Sequence, residues 1–197
     1  MVVAFGCVGC SAVQRIAAPP ASAPSSTGVS AAAAEWSGDG VLAAPGQSSN
    51  AVTYNPALAP DGARLAVTIT QADGLTTATF DASGLLPDRG YAVHMHAKAC
   101  GATGEAAGPH FQHRMDPAAT SQQPSSNPDY ANPTNEIWLD LHTDAHGAGN
   151  SITRVPFVFT DRVPASVVVH EKPVTETVPG QAGKAGARVA CLTLPTK

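Results

Sequence analysis

Ala63-Arg64-Leu65-Ala66-Val67-Thr68-Ile69-Thr70 places Leu65, Val67 and Ile69 at every second position, and Thr76-Thr77-Ala78-Thr79-Phe80 continues beyond Ala72-Asp73-Gly74. A period of two points those side chains to one face of a pleated strand, with the polar residues on the other. Working outward, Ala51-Val52-Thr53-Tyr54 precedes the turn cluster Pro60-Asp61-Gly62, and Pro87-Asp88-Arg89-Gly90 leads into Tyr91 to His96. Further strands are expected at Ile137 to His142, Ser151 to Phe159, Ser166 to His170 and Arg188 to Leu194, bounded by turns such as Ala145-His146-Gly147 and Thr160-Asp161-Arg162. That makes eight short strands and no convincing amphipathic helix. The predicted class is all-β, a sandwich or barrel. Two long stretches break the rhythm, Ala97 to Asn135 and Glu171 to Ala187, and loops of that length in a small domain are usually functional.

Composition narrows the function classes. The 197 residues carry 11 basic and 15 acidic side chains, a net charge of −4, which leaves no polybasic footprint for nucleic acid. Beyond residue 10 no apolar run approaches the ~20 residues of a transmembrane helix. The 18 glycines and 17 prolines suit a fold of many turns. Nothing in the sequence sets an oligomeric state.

The N-terminus reads differently from the rest. Val2 to Ser11 is a short apolar run ending in Gly9-Cys10-Ser11, which resembles the end of a bacterial lipoprotein signal without its charged first segment. Residues 1–10 are therefore expected to be a truncated lipoprotein-type signal, with Cys10 the lipidated residue ahead of Cys7. This predicts export to a bacterial cell envelope and a membrane contact through the lipid. Residues 11–47, rich in Ala, Pro, Ser and Gly, are expected to be a flexible tether, with Trp36 solvated inside it. The folded domain is expected over 48–197.

Chemistry concentrates in a few residues. His94-Met95-His96 sets two imidazoles on one face of a strand, His110 follows in Gly108-Pro109-His110-Phe111, and His170 ends Val167-Val168-Val169-His170. Four neutral imidazoles suit a borderline-soft transition metal, copper above all. Cys100 lies four residues after His96, and Arg188 stands three residues before Cys191. His113 is expected to lie outside any metal site. His142 and His146, with Asp140 and Asp144, are expected to form a solvated turn.

On these residues, segment 48–197 resembles the copper/zinc superoxide dismutases, which are eight-stranded Greek-key barrels. The resemblance implies that His94, His96, His110 and His170 hold copper, His110 being the histidine that normally bridges to zinc. It implies a Cys100–Cys191 disulfide, an anion-binding role for Arg188 and a proton-carrying role for His110. Lys172 and Lys184, as nearby cations, are expected to help attract the anion at longer range. The segment Gly183 to Cys191 follows the second signature of the family, except that Lys184 replaces a small or amide residue. The zinc half fails to match: the loop after His110 offers His113, Asp116 and Asp129, and no His-x-x-Asp surrounds Asn135-Glu136-Ile137-Trp138. Val174 also stands where a linking carboxylate is usual. The expected molecule is a copper-only superoxide dismutase, with superoxide as substrate and no zinc. The alternative is an envelope protein that binds or buffers copper on the same barrel without turnover. What would orient His110 in place of zinc cannot be read from the sequence.

Overall fold

The structure, a computed structural model, describes residues 1–4, 34–48, 50–120 and 122–195. Cys7, Cys10 and the tether up to residue 33 lie outside them. Ala31–Lys197 forms one compact unit. Its strands are β1 (Ala34–Val41), β2 (Ala51–Thr53), β3 (Arg64–Ala72), β4 (Leu75–Ser83), β5 (Gly90–Tyr91), β6 (Val93–His96), β7 (Leu141–His142), β8 (Gly149–Val155), β9 (Ser166–His170) and β10 (Arg188–Thr193). One sheet runs β1-β3-β4-β8 and the other β2-β10-β9-β6, with a small β5-β7 ribbon. All pairings between these strands are antiparallel.

The alternation predicted for β3 and β4 is what the chain adopts. Leu65, Val67 and Ile69 are buried between exposed or half-buried neighbours, and Ala78, Phe80 and Ala82 do the same on β4. Asp73 and Gly74 join the two strands with φ of 52° and 77°, the left-handed pair that a two-residue hairpin requires. On the second sheet, Val93 and Met95 of β6 and Val167 and Val169 of β9 meet this core. Each fully buried aliphatic side chain of this kind contributes about 1.5–3 kcal/mol. Strands β6 and β9 are nevertheless buried on both faces. Their outward residues are His94, His96, Ser166, Val168 and His170, and the segments packed over that face bury them.

Three expectations change. The tether and domain boundaries move, because Ala34–Val41, within the stretch 11–47, is a strand paired with β3 over its whole length. Trp36 is not solvated but packs edge-on against Phe159, with ring centroids 5.5 Å apart. The small residues that suggested a linker serve a close approach: a Cβ on Gly40 would sit 2.5 Å from the Ala51 Cβ. Second, the run Tyr91 to His96 divides at Ala92, whose N–H is drawn off to the Lys172 carbonyl. With β1 added, ten strand segments stand among the described residues where eight were expected. Third, Ile137 to His142 is a strand only at Leu141–His142, while Glu136 and Trp138 form isolated bridges to Gln112 and His94.

Candidate metal centre

The site stands on the outer face of the second sheet. Period two on β6 sends Val93 and Met95 inward and His94 and His96 outward. In the β6–β9 register His94 faces Val168 and His96 faces Ser166. His170 closes β9 opposite Arg188 of β10. Val189 is the extra residue of a bulge between Arg188 and Ala190, a device that re-aims side chains beside functional sites. His110 enters from the first long loop through a bridge to His96. His94, His96 and His170 are buried and His110 is half-buried.

Hydrogen bonding leaves one nitrogen of each imidazole free. His96 Nδ1 donates to the Gly108 carbonyl at 3.0 Å and His170 Nδ1 to the Gly186 carbonyl at 3.4 Å. Their Nε2 lone pairs then face one another at 3.2 Å, a repulsive arrangement that a cation relieves. His110 Nδ1 donates to Glu136 Oε2 at 2.8 Å. His94 Nε2 donates to Thr175 Oγ1 at 2.6 Å, and that hydroxyl passes its own proton to Asp140 at 2.8 Å. His94 Nδ1 is buried with no partner. Thus Nδ1 of His94 and Nε2 of the other three are unspent, and the four histidines bring their ligand atoms within 4.8 Å of one another. Four convergent imidazoles, three of them buried and each with one unspent nitrogen, fit a transition metal.

The electrostatics agree. Burial, followed by the neighbouring imidazoles, holds His94 and His96 well below the usual histidine range. Burial and then His110 push His170 down to about 3. Arg188 adds to the depression of all three, which places its charge beside the cluster. Its Nη1 donates to the Gly104 carbonyl at 2.7 Å. Gly104 must lack a side chain, since a Cβ there would lie 2.8 Å from the Arg188 Cβ. Cys100 is bonded to Cys191. This bond ties the loop carrying Gly104 to the strand carrying Arg188. A cavity of about 560 Å³ opens over the centre, lined by His110, His170, Arg188, Lys172 and Lys184 among others.

The copper/zinc superoxide dismutase family model matches residues 65–193. The chain belongs to this family. Its fold is similar to that of the Cu/Zn superoxide dismutase from Brucella abortus, at 18% identity and a TM-score of 0.53, covering 83% of this chain and 99% of that one. A double mutant of a SOD-like protein from Bacillus subtilis also matches, at 20% identity and a TM-score of 0.48, covering 66% and 88% of the two chains. Comparison with curated proteins finds no match.

Within the family's frame, several residues lie outside the cluster. His113 stacks flat on Phe157 at 4.4 Å. His146 sits in the exposed turn that Asp144 closes by accepting from the His146 and Ala148 amides, and His142, also exposed, ends β7 just before that turn. Val174 is 60% exposed and takes no part. Its neighbour Thr175, with Asp140, supplies the link to His94 instead. Among the described residues no second group of three potential ligands forms.

Sequence reasoning missed Glu136, Asp140 and Thr175. Glu136 is 1% exposed, and its carboxylate accepts from His110, from Gln112 Nε2 at 2.8 Å and from Trp138 Nε1 at 2.7 Å. The available signal was a carboxylate set against the apolar run Ile137-Trp138-Leu139, where a solvated acid has no reason to be. Glu136→Gln keeps the shape but removes the charge that fixes His110. It should weaken metal affinity by about 10- to 100-fold, the usual cost of losing a ligand's orienting partner. Chelator competition checks this, and an unchanged affinity would remove the role.

Proposed function

We propose that this family member is a copper-only superoxide dismutase, exported and tethered to a bacterial envelope through Cys10. The observation that carries the copper-only reading is Glu136 on His110 Nδ1. That nitrogen would carry zinc in a two-metal member, and here a buried, triply hydrogen-bonded carboxylate takes its place. The absence of a second ligand cluster among the described residues points the same way. Export is supported by the Cys100–Cys191 bond, since disulfides persist in oxidising compartments and are rare in reducing ones. The anchor rests on Gly9-Cys10-Ser11 alone.

His94 Nδ1 and Nε2 of His96, His110 and His170 would hold the copper. Copper supplies the one-electron cycling that no side chain here can perform. The chain's own residues do the rest. Arg188, fixed by Gly104, presents a permanent cation at the mouth and draws superoxide in, with Lys172 and Lys184 adding local attraction on an anionic protein. One superoxide gives up an electron and leaves as dioxygen. A second accepts an electron and, with two protons, leaves as hydrogen peroxide. His110 holds or releases a proton at Nε2 while Glu136 keeps its Nδ1–H in place. That fixed tautomer is the service zinc would otherwise perform.

Reconstitution with both metals should give about one copper and little zinc, and dismutation should require the copper. Arg188→Ala should leave copper affinity unchanged, since arginine is not a ligand. It should lower dismutation by about tenfold or more and flatten its salt dependence, because a local attractive charge is gone. Stoichiometric zinc would overturn the copper-only reading. Loaded protein no more active than free copper would leave a copper store in its place.

A further inference from the structure

We propose that the mouth of the metal centre is a binding cleft for a small aromatic carboxylate. Its volume of about 560 Å³ far exceeds what a diatomic anion needs. Clefts of roughly 300–1,000 Å³ with mainly apolar walls and a few charged groups are the usual form of an organic-ligand site. This one has an apolar wall that includes Met115, Ala119 and Pro124. Met115 is 63% exposed, a large apolar side chain left uncovered in a domain that buries most others of its kind. A thioether packs favourably against an aromatic ring, and flat prolyl and alanyl surfaces accept one.

The charge selects an anion. Arg162, Lys172, Lys184 and Arg188 line the cleft against Asp116 and Glu136. Both acids are already satisfied. Asp116 accepts from Ser125 and the Ala118 amide, and Glu136 from His110, Gln112 and Trp138. Three cations are also engaged: Lys172 with Glu176, Arg162 with the Gln112 and His113 carbonyls, and Arg188 with Gly104. The exposed Lys184 ammonium has no hydrogen-bond or ion-pair partner among the described residues. It is also the residue of the Gly183–Cys191 segment that departs from the family signature. A ligand carboxylate would meet Lys184 while its ring covers Met115. The walls are protein alone, so the inference stands apart from the dismutase reading.

Calorimetric titration of metal-free full-length protein with 1-naphthoate tests it, with acetate, inorganic phosphate and neutral 1-naphthamide as controls. Naphthoate should bind once, about tenfold or more tighter than acetate or naphthamide, a 1.4 kcal/mol margin for each half of the ligand. Lys184→Met should reduce naphthoate to the level of naphthamide, and Met115→Glu should abolish its advantage over acetate. Both side chains are exposed, so the fold survives either change. Equal binding of naphthoate and phosphate would mean generic anion attraction and overturn the proposal. So would naphthoate binding that ignores both substitutions, or no saturation at millimolar concentration. Because no copper is present, a negative result leaves the dismutase reading untouched.

Discussion

Metal-free protein should lose stability as the pH falls from 7 to 5, before most carboxylates titrate. In the folded state burial holds His170 at about 3, against an ordinary value of 6.5, and holds His94 and His96 well below that value. Between those limits the unfolded chain binds protons that the folded chain refuses, so stability rises with pH and is lost on acidification. The loss begins near the unfolded value of about 6.5 and continues down to the folded value. For His170 alone it amounts to about 2 kcal/mol at pH 5, on the order of 5 kcal/mol once pH 3 is reached, at 1.36 kcal/mol per unit. His94 and His96 act in the same direction. Copper, binding the neutral imidazoles, should offset the loss until protons displace it. Urea denaturation of metal-free and copper-loaded protein at stepped pH measures this. A flat metal-free profile from pH 7 to 5 would mean that these imidazoles are not buried as neutral bases.

The second large effect concerns the Cys100–Cys191 bond. It closes a loop with a sequence separation of 91 residues. In the chain-entropy model, cross-linking a loop of that length stabilises the fold by about 4–5 kcal/mol. For a domain of this size, replacing both cysteines by serine should lower the Tm by about 10–20 °C. The same change should reach the mouth of the metal centre. Cys100 begins the segment whose Gly101 carbonyl accepts from Tyr54 and whose Gly104 carbonyl holds Arg188. Dismutation should therefore fall while the four histidines still bind metal. A Tm within a few degrees of the parent, with full activity, would show that packing of Tyr54, Ala107 and Val168 around the two cysteines suffices without the bond.

Local pattern alone determined the all-β class, the apolar faces of β3 and β4, the shared face of His94 and His96, and the strand Ser166–His170. Each follows from a period set by the backbone, which needs no knowledge of distant residues. Order along the chain also singled out His110, His170 and Arg188, because the family motifs are written in contiguous residues. Ala34–Val41 was not legible, since a strand of small residues reads as a linker until its partner β3 is in place. The three residues that orient the ligands were not legible either. Glu136 and Asp140 lie 26 and 46 residues from the histidines they serve, and Thr175 lies 81 residues from His94. Their roles depend on which nitrogen each imidazole has left over. That is decided only when the two long loops and the 136–140 stretch between the first of them and β7 close over the outer face of β6 and β9, which removes water and gives those imidazole N–H groups fixed acceptors.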